Sequence, residues 1–232
     1  MEQRNLLFPG QRGLRAEDIL DRLAHAPPPG RRRAPQGPQG LDAAETWPRG
    51  DHDLNPDFYD PKRKLVAAAV LVPIVVHEGG LTVLLTKRTE HLDVHAGQIS
   101  FPGGQIEPGD DSPEAAALRE TEEEIGLSRR NVRLIGNLDT YVTRTGFQVT
   151  PVVGLVTPPL ALTLDAFEVA EAFEAPLDFF LASENLQRHS RVYEGKDRHF
   201  YVFPYGDYFI WGATAGMLVN LTEILANDRG GV

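Results

Sequence analysis

The 232-residue sequence predicts an α/β fold of the α+β type, in which helices cover both faces of a mixed β-sheet. Two observations favour this class. Runs of β-branched and aliphatic residues, typical of strands, outnumber the segments with helical periodicity. The helical segments are also scattered among these runs rather than grouped at one end of the chain. The pattern therefore argues against a helical bundle and against a barrel.

The composition of the chain changes near residue 60. Residues 1–60 are predicted to form an N-terminal extension, in which residues 16–25 make a short helix with its apolar side chains on one side. In residues 27–40, Pro and Gly occupy eight of fourteen positions, which is typical of a linker that cannot form a packed core. Residues 61–230 are then predicted to form the main domain.

The regular elements follow from local signals. Glu78-Gly79-Gly80 predicts a turn between the first two strands. A helix is expected over residues 113–125, because Ser112 can cap it, proline is tolerated at its first position and Gly126 can end it. A closing helix is expected over residues 213–226, where apolar residues recur at helical spacing. The predicted strands are residues 65–76, 81–88, 132–139, 149–156, 199–203 and 208–211.

The composition excludes several classes of function. With 33 acidic and 23 basic residues, the chain has a formal charge of −10, which argues against a nucleic-acid or anionic-membrane binder. The lack of cysteine excludes disulfides, thiolate metal sites and a cysteine nucleophile. The longest apolar run, residues 65–76, is interrupted by Pro73 and is shorter than the roughly 20 residues that a membrane helix needs. No secretory signal is visible either, so we expect a cytoplasmic protein.

One segment concentrates this negative charge. Residues 103–127 contain eight acidic residues against Arg119 alone, which amounts to −7 of the total of −10. On the predicted helix Glu120, Glu123 and Glu124 project from one face, close to the C-terminal end where the helix dipole favours cations. Such carboxylates suit a divalent ion with hard oxygen ligands, Mg²⁺ or Mn²⁺. The alternative is a solvated acidic helix surface.

This segment resembles the Nudix box, in which Gly is followed after five residues by Glu and after seven more by Arg-Glu, an apolar residue, any residue, Glu-Glu, any residue, Gly and an apolar residue. Two positions depart from this pattern. Thr121 stands at a usually aliphatic position, and Gly104 lies fifteen rather than fourteen residues before Arg119. Either Asp110 or Asp111 therefore stands near the place of the first glutamate. The second half of the box matches at Arg119, Glu120, Glu123, Glu124, Gly126 and Leu127.

A second motif resembles one subfamily. Residues 84–104, LLTKRTEHLDVHAGQISFPGG, are similar to a segment of the Nudix coenzyme A diphosphatases, as are residues 146–153 and 208–215. The resemblance covers residues 64–226 and implies an α/β/α Nudix sandwich. It also implies metal-dependent hydrolysis of coenzyme A or acyl-CoA to 3',5'-ADP and 4'-phosphopantetheine. The alternatives are a Nudix hydrolase of another nucleoside diphosphate derivative, such as ADP-ribose, and an inactive Nudix-fold binding module.

The resemblance implies roles for individual residues. By this resemblance, Glu120 and Glu124 are expected to be metal ligands, and the carbonyl of Gly104 to add a further oxygen ligand. Glu123 is expected to be a third ligand or the group that takes the proton of the attacking water. Arg119 then orients the glutamates through charge-assisted hydrogen bonds.

The remaining roles concern the substrate and the general base. Glu168, Glu171 and Glu174 are candidates for the base in a segment that could swing over the site, or else are acidic residues of an ordinary loop or short helix. A stacking role for Tyr208 and Trp211 on adenine is weighed against a place in the core. The sequence does not decide whether the chain forms a homodimer. Candidate substrate-binding residues are Arg88, Lys87, His95 and Gln98, with Ser100 near them.

Overall fold

The computed structural model describes residues 13–29, 48–90 and 97–226. Its helices are α1 (Ala16–His25), α2 (Pro113–Ile125), α3 (Leu177–Leu181) and α4 (Ala213–Ala226). Its strands are β1 (Arg49–Gly50), β2 (Val66–His77), β3 (Gly80–Arg88), β4 (Ile99–Ser100), β5 (Gly103–Gln105), β6 (Val132–Asn137), β7 (Tyr141–Val142), β8 (Phe147–Val156), β9 (Val169–Pro176), β10 (Gln187–Tyr193), β11 (Lys196–Tyr205) and β12 (Tyr208–Trp211). No helix within these ranges is both long and apolar enough to cross a bilayer.

The main sheet is mixed. Its strands follow the order β1-β7-β8-β2-β3-β4, while β5 pairs with β2, β6 with β8 and β9 with β3. Strands β2 and β8 run parallel from the pair Val66 and Phe147, whereas β2 and β3 form an antiparallel hairpin. A second, antiparallel sheet has the order β10-β11-β12.

Apolar side chains cover both faces of the main sheet. On one face, alternate residues of β2 and β3 such as Ile74 and Val83 pack with residues of α1, α3, α4 and the second sheet. On the other face, Leu71 and Leu84 pack with Ala117 and neighbouring residues of α2. The predicted mixed sheet between helices is therefore confirmed.

Helices α1, α2 and α4 agree with the sequence predictions, whereas the short helix α3 and six of the described strands were missed: β1, β4, β5, β7, β9 and β10. The bounds of α1, α2 and α4 are those predicted. Strand β9 was interpreted as an acidic segment able to swing over the site, and this was wrong because β9 pairs with β3 over most of its length. Strand β10 was missed because all of its residues up to Val192 are exposed, so it lacks an apolar alternation.

The described part of residues 1–60 packs on the main domain. Ile19 of α1 is fully buried in the same core as α4. Strand β1 pairs with β7, and the Arg49 side chain is buried against Asp139 at 3.0 Å and against Glu223. The predicted linker, residues 27–40, lies mostly outside the described residues.

Candidate active site

Helix α2 presents the glutamates in its last two turns. The Ser112 side chain accepts a hydrogen bond from the Ala115 N–H at 3.2 Å, and Pro113 occupies the first turn. The helix ends at Gly126, whose φ of 67° is in the left-handed region that glycine adopts easily. At the unusual position Thr121, the buried hydroxyl donates to the Ala117 carbonyl at 2.6 Å, so it is satisfied in an apolar environment.

Arg119 lies at the centre of the carboxylates. Its guanidinium donates two hydrogen bonds to Asp110, at 3.0 and 2.9 Å, and one each to Glu120 at 2.8 Å and Glu123 at 3.0 Å. The hydrogen bond from Arg119 is the main reason why the pKa of Asp110 falls to about 2. Asp111 is exposed. Of the two aspartates that the sequence left open, Asp110 is therefore the partner of Arg119.

Glu124 is the most buried of the three glutamates. Its side chain is 7% exposed, accepts a hydrogen bond from the Gly103 N–H at 3.1 Å and lies 3.8 Å from the Arg88 guanidinium. Burial raises the pKa of Glu124 to about 7, although Gly103 and Arg88 act in the opposite direction. The Gly103 N–H was not among the groups predicted from the sequence, where its only signal was the glycine pair that precedes the helix.

The second glycine of this pair lies against Glu120. Gly104 is opposite Ala69 in the pairing of β5 with β2. A Cβ on Gly104 would lie 2.5–2.7 Å from the carboxylate atoms of Glu120, so a side chain there would displace that carboxylate. Burial also raises the pKa of Glu120, while Arg119 lowers it. The predicted contribution of the Gly104 carbonyl to metal binding stays a prediction.

Arg88 and Glu168 border the glutamates on the other side. The Arg88 guanidinium lies 3.8 Å from the carboxylates of both Glu124 and Glu168. The backbone N–H of Arg88 donates to the Gln98 carbonyl at 2.9 Å. Lys87 is opposite Glu171 of β9, and among the described residues the structure gives it no ion pair with the helix glutamates. The structure thus brings Arg88, the Gln98 backbone and Glu168 to the site, whereas His95 lies outside the described residues.

The other candidates have structural partners away from the helix glutamates. Glu171 accepts a hydrogen bond from Tyr208, whose ring stacks on Phe173 at 3.7 Å. Glu174 contacts His77 at 2.6 Å and also Thr82, near the opposite end of β3. The ring of Trp211 packs against Phe200 at 5.3 Å, and the Ser100 hydroxyl contacts that of Thr86 at 3.1 Å. Tyr208 and Trp211 thus have aromatic partners within the protein.

The donor set suits a hard divalent cation. Glu120 and Glu124 are carboxylates whose pKa burial raises, so a nearby cation would stabilise their ionised forms. Within the described chain, no three acidic or histidine side chains converge closely enough to hold an ion. Instead, Arg119 draws Glu120 and Glu123 towards itself. The carboxylates therefore suit a divalent cation by their chemistry, and two of them, Glu120 and Glu123, are hydrogen-bonded to Arg119 in this structure.

The chain is similar to a known protein family and to proteins named as its members. A family model described as NUDIX domain matches residues 65–194. The protein named "Uncharacterized Nudix hydrolase NudL" of Escherichia coli O7:K1 (strain IAI39 / ExPEC) is 44% identical over 158 residues, covering 66% of this chain and 80% of its own. The protein of the same name from Enterobacter sp. (strain 638) is 43% identical over 155 residues, with the same coverage.

Solved structures resemble the chain more distantly. The Nudix hydrolase RenU of M. smegmatis has a TM-score of 0.45 and 19% identity, over 69% of this chain and 86% of its own. The C. elegans Ap4A hydrolase in a binary complex has a TM-score of 0.42 and 22% identity, over 48% of this chain and 80% of its own. Because the NUDIX model spans more than half of the sequence and includes α2 with its glutamates, this chain belongs to the Nudix hydrolase family.

Proposed function

We propose that the protein hydrolyses the diphosphate of coenzyme A or acyl-CoA, giving 3',5'-ADP and 4'-phosphopantetheine or its acyl form. One observation carries the proposal. The segment that resembles coenzyme A diphosphatases, residues 84–104, supplies two of the groups around Glu124: the Arg88 side chain at 3.8 Å and the Gly103 N–H at 3.1 Å. The part of the sequence that suggests the substrate is therefore also part of the site.

Nudix hydrolases generally use divalent metal ions, and the proposed ion here is Mg²⁺ or Mn²⁺. Glu120 and Glu124 would hold it, with the Gly104 carbonyl as a further oxygen ligand and Glu123 as either a third carboxylate ligand or the group that takes the proton of the attacking water. When bound, the ion supplies neutralisation of the phosphate charge and lowers the pKa of a water molecule.

The basic residues of the chain have separate tasks in this proposal. Arg88 binds a phosphate oxygen, because its planar fork of donors matches phosphate and it already lies beside Glu124. Arg119 orients Glu120 and Glu123 through its hydrogen bonds, and Asp110 in turn fixes Arg119. These contacts lower the reorganisation that the site undergoes during the reaction.

Two carboxylates remain as candidates for the proton of the attacking water. Glu123 is 59% exposed, and Glu168 is 43% exposed beside Arg88. Both are therefore accessible from solvent and adjacent to the buried Glu124. Glu171 and Glu174 are not proposed as the base, because strand β9 holds them against Tyr208 and His77 respectively.

The test is incubation of the purified protein with coenzyme A and either Mg²⁺ or Mn²⁺, followed by separation of the products. We expect 3',5'-ADP and 4'-phosphopantetheine, loss of turnover with chelator and its return with metal. ADP-ribose, a dinucleotide and a nucleoside triphosphate assayed in parallel rank the substrates by kcat/KM. Absence of 3',5'-ADP with both metals would eliminate the proposal, and faster cleavage of ADP-ribose would replace the substrate but keep the Nudix chemistry.

A further inference from the structure

Phe167 is a large apolar side chain that the fold leaves exposed. It is 66% exposed, although its backbone is held on both sides. The Thr89 hydroxyl donates to the Phe167 carbonyl at 2.8 Å, and the Phe167 N–H donates to the Asp165 carboxylate at 2.9 Å. The ring is therefore presented to solvent from a fixed backbone.

The turn that carries Phe167 is attached to helix α2. The Asp165 N–H donates to the carbonyl of Glu124 at 2.8 Å, and the Thr163 N–H donates to the carbonyl of Ile125 at 2.9 Å. Thr89, on the other side, directly follows Arg88. The same turn is thus bonded to the helix that carries the glutamates and to the strand that carries the proposed phosphate-binding arginine.

The residue after Phe167 reaches the site itself. Glu168 lies 3.8 Å from Arg88, and its charge contributes to the raised pKa of both Glu120 and Glu124. Phe167 is therefore one residue away from a side chain that contacts the proposed phosphate-binding group.

We propose that Phe167 forms the stacking surface for the purine base of the substrate. The inference rests on the proposed function for identifying that base as the adenine of coenzyme A. In such a substrate the nucleoside is attached directly to the diphosphate, so its base lies near the phosphate-binding group, and Phe167 directly precedes Glu168, which contacts that group. An aromatic side chain on a fixed backbone has few rotatable bonds, so it loses little conformational entropy on binding, and its ring stacks on any base.

The test measures, by titration calorimetry, the binding of the two halves of the substrate to the full chain in the presence of Mg²⁺. The halves are adenosine 3',5'-bisphosphate and 4'-phosphopantetheine. We expect Phe167→Ala to weaken bisphosphate binding roughly 5- to 150-fold, the loss that corresponds to stacking of one base. Binding of 4'-phosphopantetheine should be unchanged, and Phe167→Trp should retain bisphosphate binding.

Phe209 provides the matched control, since it is another exposed phenylalanine, 47% exposed, in β12 of the second sheet. Phe209→Ala should bind both halves as the wild type does. The inference is overturned if wild type does not bind the bisphosphate, if Phe167→Ala binds it as wild type does, or if that variant loses 4'-phosphopantetheine instead. A wild-type protein that binds the bisphosphate through Phe167 but does not cleave coenzyme A would contradict the proposed function and leave this inference standing.

Discussion

Glu124 is a buried carboxylate, and the groups around it compensate only part of the cost of removing its charge from water. Among the described residues it has one backbone donor at 3.1 Å, and the cation that pairs with it, Arg88, lies at 3.8 Å, beyond normal hydrogen-bond length. Burial therefore raises its pKa from 4.5 to about 7. Without a metal, ionising this group in the folded protein costs about 3 kcal/mol of stability. A cation bound at Glu124 would remove much of this cost.

The first prediction concerns the pH dependence of stability in the presence of chelator. Because the pKa of Glu124 is higher in the folded than in the unfolded state, the folded protein holds the proton more tightly, and stability is lost as pH rises from about 4.5 to about 7. We measure the free energy of unfolding in urea at about pH 4.5 and at about pH 8. Between these two pH values, we expect the free energy of unfolding to fall by about 3 kcal/mol more in wild type than in Glu124→Gln. Glu123→Gln, a change at an exposed position of the same helix, should behave as wild type. Equal pH dependence in wild type and Glu124→Gln would contradict this prediction.

The choice between Asp110 and Asp111 shows what spacing cannot determine at the residue scale. A loop extended by one residue leaves both aspartates near the expected position. The turn decides between them: the Asp110 N–H donates to the Glu107 carbonyl at 3.0 Å, and the Glu107 N–H donates to the Asp110 carboxylate at 2.8 Å. This turn directs Asp110 towards Arg119. The sequence identified the pair because the motif is local, but the orientation depends on how the loop closes.

At the scale of elements, the short strand β5 contains the last two residues of the segment that resembles coenzyme A diphosphatases, residues 84–104, and leads towards helix α2. Its two glycines meet different neighbours. A Cβ on Gly103 would lie 2.4 Å from the Ala69 carbonyl oxygen, and the φ of Gly103 is +149°. The three atoms nearest to a Cβ on Gly104 would instead all belong to the Glu120 carboxylate. One glycine therefore serves the backbone packing of the sheet, and the other serves the position of a proposed ligand.

The second prediction compares alanine substitutions at these two glycines. Gly103→Ala should lower the free energy of unfolding by at least about 2 kcal/mol, because backbone atoms and a strained φ oppose it. Gly104→Ala should cost less than about 1 kcal/mol, because the Glu120 carboxylate can move aside. The same displacement should lower kcat/KM roughly 10²-fold. Urea unfolding and turnover of both variants provide the measurement, and a Gly104→Ala protein with wild-type activity would show that Glu120 tolerates the shift.

Helix α2 could be predicted to the residue, whereas β9 could not. The bounds of α2 follow from local signals, Ser112 at its start and Gly126 at its end. Strand β9 is defined by pairing with β3, which lies far away in the sequence. Within β9, Glu171 and Glu174 read as an acidic loop, because their partners Tyr208 and His77 lie on other elements. Candidate bases were thus recognisable by residue type, and only the pairing removed two of them.

At the scale of the whole molecule, the N-terminal extension is part of the folded structure where it is described. Composition separates residues 1–60 from the rest, but composition does not reveal a buried contact. Arg49 lies between Asp139 at 3.0 Å and Glu223, and Asn220 donates to the same Asp139 carboxylate at 3.1 Å. These contacts join the segment before the main domain to helix α4 and to the residues that precede β7.

The third prediction is that Arg49 holds the extension on the domain. Arg49→Met should lower the free energy of unfolding by about 3–5 kcal/mol, because it leaves Asp139 buried without its cation. Arg133→Met, at an exposed arginine of β6, should cost less than about 0.5 kcal/mol. The double variant Arg49→Met with Asp139→Leu should recover part of the loss, because it removes the unpaired charge as well. If Arg49→Met unfolds in urea as Arg133→Met does, the arginine does not fix the extension. The predicted loss of stability would instead mean that the described segment around Arg49 contributes to the stability of the domain that carries the glutamates.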